Sequence, residues 1–346
     1  MKTINFIKTS DNNFNNDTVI INLAKQFQSC NINILLGAGF SYGVAELLCN
    51  VEKEITNAEE NGDNDRIIQL KKDFFTKSIL PTIDESKSKI GERERIRFLG
   101  LIKRIIDNRQ SSILHKIVNI FTTNYDLLIE SALERSNVEY IDGFSGKILP
   151  RFYTANYGII LSKQTSISSM TSEMTTFNIY KVHGSLNWHC ESTDVYRTNP
   201  SELINKIYSN LSGDEFLKYY DELSIVNPTK NKLRQTVLDV NYYDQLRLYC
   251  NELEKNNTIL ISYGFSFSDE HILQMTKRAL ASNPTLNLLI FSFDEESAIK
   301  YKEIFNEFVN VTLFRLVKIE NGKESCVLFT QEELNNALEE VYNGIK

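Results

Sequence analysis

"NINILLGAG", residues 31–39, is a short, mainly apolar run that ends in two glycines, and its reading decides the fold. A strand covered on one face alternates apolar with polar residues; a continuous run of this length marks a strand buried on both faces. The pattern recurs in IVNIFTTNYD (117–126), NTILISYGFSFSD (257–269) and LNLLIFSFDEE (286–296), each closing in a polar loop and leading into a helical pattern. FNIYKV (177–182) ends in the same way, at His183-Gly184-Ser185. Strands alternating with helices at wide intervals predict an α/β fold: a Rossmann-like, mostly parallel sheet flanked by helices, with a helical insertion. In such sheets ligands bind beyond the carboxyl ends of the strands, where these polar loops lie.

A chain of 346 residues is long enough for one large domain with insertions or for two domains. Residues 1–30 read as an N-terminal extension and 31–346 as the main domain. Within that domain, about 51–112 is too long for one crossover helix and reads as a helical insertion broken near Pro81 and Gly91. About 143–256 reads as an irregular, then helical region. It includes the Ser/Thr-rich SKQTSISSMTSEMTT, expected as a loop or hairpin, and the break NPTKNK (227–232). Thr330 opens the last helix in a capping pattern with Glu333.

The net charge of -7 argues against direct nucleic-acid binding, which calls for an excess of Lys and Arg. The basic run from Lys87 to Arg109 reads as a solvated helix face of mixed sign. The sequence has no signal-peptide core and no apolar run of membrane-spanning length, so a cytoplasmic location without membrane contact is expected. Five scattered cysteines without a CxxC pair fit reduced thiols rather than a disulfide framework.

The loop GAGFSYG offers tight turning and close approach to a phosphate, but its spacing is GxGxxxG through Gly37, Gly39 and Gly43, and a plain turn reads equally well. Thr123, Asn124 and Asp126 cluster at the next strand end, where Asn124 or Asp126 also suits a helix cap. Gly264, Ser266 and Ser268 follow a strand and precede a helix; Ser268 or Asp269 is expected to cap that helix, leaving His271 as an exposed first-turn residue. The segment IYKVHGSLNWHC (179–190) holds two histidines, a cysteine and the only tryptophan. Along a strand, residues 183 and 189 stand roughly 20 Å apart, whereas zinc ligands lie ~2 Å from the ion, so no metal site is expected. His183, at a strand end, is placed to take a proton from a hydroxyl or water near neutral pH. Trp188, His189 and Cys190 read as packing residues of the loop beyond.

Taken in order, GAGFS, TTNYD, KVHGS and YGFSFSD resemble the sirtuin family, specifically the sirtuin-like domains of bacterial anti-phage defence proteins. The resemblance spans residues 34–269 and implies NAD as substrate and no metal. It implies that Gly37, Ala38, Gly39 and Ser41 hold the diphosphate and that Asp126 meets the nicotinamide carboxamide. Asn124, beside Thr123, would orient the ribose or a water, and His183 would be the general base. Gly264 and Ser266 would complete the phosphate and ribose contacts. Asp294 is a further candidate for the adenosine ribose, in a position that first of all suits a helix cap. Two departures matter: the zinc module of sirtuin deacylases and the Phe-Arg pair after their glycine loop are both missing.

The resulting expectation is an NAD glycohydrolase that releases nicotinamide and ADP-ribose as a defence effector. Such an enzyme would be gated as a homo-oligomer or by a partner, a HerA-type hexameric ATPase or a short argonaute. The rival expectations are a non-catalytic NAD or ADP-ribose module that assembles a partner and, last, a zinc-free deacylase.

Overall fold

The computed structural model describes residues 4–10, 13–14, 17–46, 51–111, 113–164, 171–191, 194–208, 213–223, 225, 240–320 and 323–345. In chain order the first strands are β1 (Ile4–Ser10), β2 (Asn13–Phe14), β3 (Asn31–Leu36), β4 (Ile117–Thr122) and β5 (Tyr140–Ile141). The short strands β6 (Phe144–Ser145), β7 (Arg151–Phe152), β8 (Ser162–Gln164) and β9 (Thr171–Glu173) follow. Then come β10 (Thr176–Lys181), β11 (Trp188–Glu191), β12 (Asp194–Arg197), β13 (Thr258–Tyr263), β14 (Leu286–Phe291), β15 (Val311–Glu320) and β16 (Lys323–Val327).

The main sheet runs β2-β1-β15-β14-β13-β3-β4-β10-β5, with β16 on β15. From β1 through β5 the neighbours are parallel, and only β2 and β16 pair antiparallel. This is the Rossmann-like α/β architecture that the apolar runs predict. All residues of β10 and β13 are buried, as is all of β3 and β4 after the first residue, which is why these runs are mainly apolar on both faces. The chain leaves β3 toward β4 and β10 and later returns to its other side as β13. That reversal is a topological switch point, beside whose carboxyl edge open α/β sheets bind their ligands.

Register across the centre is marked by three buried asparagines. Asn33, Asn119 and Asn178 stand level on β3, β4 and β10. The Asn119 amide donates to Asn33 Oδ1 at 2.9 Å and to Glu252 at 3.0 Å, and its oxygen accepts from Asn178 at 2.9 Å. A one-residue slip would break this ladder and turn each side chain to the other face.

Helices cover both faces. Those at Asp17–Ser29, Glu92–Asp107, Leu128–Arg135 and Gln331–Ile345 enclose one core layer with Phe27, Ile34, Ile102, Ile120 and Val341. Those at Val240–Leu253, Glu270–Ser282 and Glu295–Ile304 enclose the other, with Leu35, Phe121, Tyr249, Leu260 and Ile272. Ile34 and Leu35 thus serve opposite layers, and burying a side chain of this size stabilises by about 1.5–3 kcal/mol. A third cluster joins the helices Val51–Asn61, Asn64–Phe74, Pro200–Tyr208 and Gly213–Asp221 to Leu186 and Ile225.

The helices of 51–112 therefore do not form one body. Residues 51–83 pack with the helices of 200–221, whereas Glu92–Asp107 lies under the sheet. The helical path runs past Pro81 and stops at Asp84; Gly91, with φ 69°, starts the next helix. The first thirty residues include β1, which pairs with β15, and a helix built into the core, so they are integral to the sheet rather than an appendage. Around the Ser/Thr-rich stretch β8 and β9 form an antiparallel hairpin; its residues 165–170 and the NPTKNK break lie outside the described residues. Trp188 belongs to a small antiparallel sheet, β11-β12-β7-β6, and is buried with Phe144 and Phe152. On the same strand His189 and Cys190 are exposed, so only the tryptophan packs as expected. Among the described residues no helix is long and apolar enough to cross a membrane.

Candidate functional site

Parallel register brings Tyr263, Leu36, Thr122 and Lys181 level at the carboxyl ends of β13, β3, β4 and β10. The loops that follow these strands therefore stand side by side. The first two touch through backbone alone. Gly37 N-H donates to Tyr263 O at 3.3 Å, and Gly39 N-H to Gly264 O at 2.9 Å. A Cβ on Gly37 would sit 2.5 Å from Gly264 O, and one on Gly39 2.5 Å from Gly264 Cα. Gly264 itself has φ +65°, and its Cβ would meet Gly39 at 2.7 Å. The glycines are required for this close approach.

Ser41, at the end of the short 3-10 turn Ala38–Ser41, points inward and donates to Asp126 Oδ2 at 2.7 Å. Asn124 donates to Gly37 O at 3.0 Å and to Ser41 Oγ at 3.1 Å. Asp126 Oδ1 accepts Leu128 N-H at 3.1 Å. The N-cap of the helix Leu128–Arg135 is Leu127, without a side-chain capping bond, so neither Asn124 nor Asp126 is the cap that the sequence suggests; Asp126 bonds Leu128 N-H from one residue further out while its other oxygen holds Ser41. Ser41, Asn124 and Asp126 are all buried, Thr123 is half-buried and Ala38 is exposed.

Beneath this network lies a residue that the motif reading does not single out. Lys181, 3% exposed, donates to the carbonyls of Asp126 and Asn124 and pairs with Glu130 at 3.0 Å. Burial pushes the Glu130 carboxyl above its ordinary value, and the Lys181 charge counters that only in part. The signal was a lysine inside the apolar run FNIYKV: a charge within a buried strand calls for a partner.

His183 follows β10 and is 4% exposed, presented by a turn that needs Gly184 at φ 80°. Its neighbour is unexpected. His271 is not an exposed first-turn residue but is 6% exposed, with its Nε2 at 3.4 Å from His183 Nε2. Asp269 stands at the N-cap of the helix Glu270–Ser282, yet its side chain makes no capping bond to it; Oδ1 lies 3.9 Å from His183 Nε2. The expected cap is replaced by a carboxylate turned toward histidine.

In the loop GFSFSD, Phe265 and Phe267 point inward and Ser266 and Ser268 outward, where Lys300 donates to Ser268 at 3.3 Å. Phe267 holds φ 54°, a conformation unfavourable for a bulky residue, fixed by edge-on packing against Phe265, Tyr301 and Phe305. Asp294 accepts Ser297 N-H at 2.8 Å in a reciprocal capping box, so its carboxylate serves the helix Glu295–Ile304. Among the described residues no group of three or more His, Cys, Asp and Glu is arranged to hold a metal ion.

The chain matches a family model described as SIR2-like domain over residues 118–313, a span that includes Asn124, Asp126, His183 and Gly264 but begins after the glycine loop. No curated protein matches the chain.

Proposed function

Because the chain belongs to the SIR2-like domain family, whose members use NAD, we propose that it is an NAD glycohydrolase releasing nicotinamide and ADP-ribose. The observation that carries this reading is the convergence of Ser41, Asn124 and Asp126 in one buried network at the switch point, with His183 at the next strand end. Cleaving the nicotinamide–ribose bond passes through a cationic, oxocarbenium-like ribose. The reaction therefore needs the dinucleotide gripped, the carboxamide oriented and a water positioned.

In this reading the Gly37–Ser41 turn and Ser266 flank the diphosphate, and Gly264 lets the two loops meet. Asp126 faces the carboxamide, Asn124 with Thr123 orients the ribose or the water, and His183 takes the proton. Asp294, the weaker candidate for the adenosine ribose, is committed to its capping box with Ser297 and is given no part in the scheme. No metal enters the scheme. The motif resemblance supports a role as the NAD-depleting effector of an anti-phage system in the cytoplasm. That role would be held in check by oligomerisation or by a HerA-type ATPase or short argonaute partner. Ile148, Leu149, Tyr153, Ile159 and Ile160, all exposed within one stretch, supply apolar surface for such assembly.

The test is nicotinamide release from NAD by purified protein, with and without the product of the neighbouring gene. Asn124→Ala and His183→Ala are each expected to lower kcat by about 10²-fold or more. Wild-type release no faster than that of either variant under every activating condition would refute the assignment.

A further inference from the structure

The geometry points to His271 as a positioning residue that sets the tautomer of His183, with Asp269 beside His183 to balance its charge; the step rests on the reading of His183 as the base. Both imidazoles are buried, at 4% and 6% exposure, with Nε2 facing Nε2 at 3.4 Å and ring centroids 5.5 Å apart. A neutral imidazole carries one N-H, and a contact between two ring nitrogens is favourable only when one donates and the other accepts. The contact therefore holds a single proton.

A consequence follows for proton transfer. When His183 takes a proton from a ribose hydroxyl or water, both of its ring nitrogens become donors. Its Nε2-H must then point at a lone pair on His271 Nε2, so His271 must carry its own proton on Nδ1. The proton lost by the hydroxyl or water is the one gained by His183, and His271 remains neutral. Two imidazolium rings in this contact would repel in a buried setting, so the pair holds at most one positive charge. The Asp269 carboxylate, 3.9 Å from His183 Nε2, supplies the opposite charge that stabilises it. The roles match base-and-orienter logic, in which one group accepts the substrate proton while others fix its ring and balance its charge.

The helix Glu270–Ser282 carries His271 on its buried face with Ile272, Thr276 and Ala279, and that face brings the ring onto His183.

The experiment compares wild type with His271→Gln, which keeps an amide near the Nε2 position, and His271→Leu, which keeps only bulk. His271→Leu is expected to lower kcat for NAD roughly 10- to 100-fold with KM changed less than about twofold, and His271→Gln to recover most of that loss. Equal kcat in all three proteins, or a loss confined to KM, would overturn the proposal. A second readout does not depend on turnover: nitrogen-15 imidazole spectra of histidine-labelled protein report the tautomer of His183. A changed ratio of Nδ1-H to Nε2-H forms of His183 in His271→Gln supports the pairing, and an unchanged ratio overturns it. Should wild type release no nicotinamide at all, the glycohydrolase reading fails on that arm, while the spectra still decide the pairing.

Discussion

Lys181→Met removes the cation that bonds the carbonyls of Asn124 and Asp126, and its cost follows from the burial of the pair. Lys181 and Glu130 have side chains 3% and 11% exposed, and they meet at 3.0 Å. At an effective dielectric of ~20 their attraction is about 5 kcal/mol, set against the desolvation of both charges. Deleting one partner of such a pair strands the other, at about 3–5 kcal/mol. The carbonyls of Asn124 and Asp126 lose their shared donor as well. Glu130 also sets the pH dependence, because burial already raises its carboxyl and the loss of Lys181 removes the main opposing charge. A carboxyl raised in the folded state takes up a proton on folding, so its cost is full above the folded value and fades as pH falls toward the unfolded one. The destabilisation should therefore be larger at pH 8 than at pH 5. Urea unfolding followed by Trp188, the only tryptophan and buried among aromatic rings, measures it. The double variant Lys181→Met/Glu130→Met should recover about 2 kcal/mol at pH 8. A loss under about 1 kcal/mol, equal at both pH values and unrelieved in the double variant, would refute the buried-pair account.

Asn119→Val leaves Asn33 Oδ1, Asn178 Nδ2 and Glu252 without the bonds made by the central amide. Asn178 Nδ2 keeps Tyr157 O and Glu252 keeps Lys255, so the expected cost by urea midpoint is about 2–4 kcal/mol, about 1–3 for stranding Asn33 Oδ1 and the rest for the lost bonds. Gly264→Ala combines a left-handed φ with a Cβ 2.7 Å from the Gly39 backbone. It should cost about 2–4 kcal/mol and abolish activity, read by denaturation and nicotinamide release. Gly100→Ala is its opposite: in the helix Glu92–Asp107 an added Cβ meets nothing within 4 Å. This change should stabilise by about 0.5–1 kcal/mol, seen as a raised Tm.

The strands of the sheet centre were legible because strands buried on both faces are mainly apolar, as NINILL, IVNIFT and TILISY are outside a few polar positions. Their asparagines carried the register as well, yet a buried polar ladder is readable only once the strands are known to be neighbours. β1 was hidden because its partner β15 lies some three hundred residues away, and no local pattern reports a pairing of that separation. Among the motifs, the serines and Asp126 could be listed by position, but the bond from Ser41 to Asp126 joins two loops separated in sequence. Helical phase sets His271 on the same face as the buried Ile272, Thr276 and Ala279, so its burial follows from the helix's apolar stripe, whereas the facing of its ring onto His183 joins two loops and has no local signal. For Asp294 the local rule prevailed and the carboxylate caps its helix; at Asp269 the same rule gave way to an approach to His183 from another loop.

The glycine loop shows how one sequence feature can answer two physical demands. Gly37 and Gly39 have already given their amide protons to Tyr263 and Gly264, and Asn124 and Ser41 are already bonded to Gly37 and Asp126. A ligand at this edge exchanges bonds rather than filling empty ones, and since a net hydrogen bond is worth only about 1 kcal/mol, the exchange adds little affinity. It does remove the need to order the loops when the ligand arrives, because Lys181 and the glycine contact fix them beforehand. Polar groups held in place before the reaction stabilise developing charge without reorganising. The burial of Lys181 and the close contact of the glycines therefore bear on the same outcome, a charged site whose geometry is set by the fold and not by its occupant.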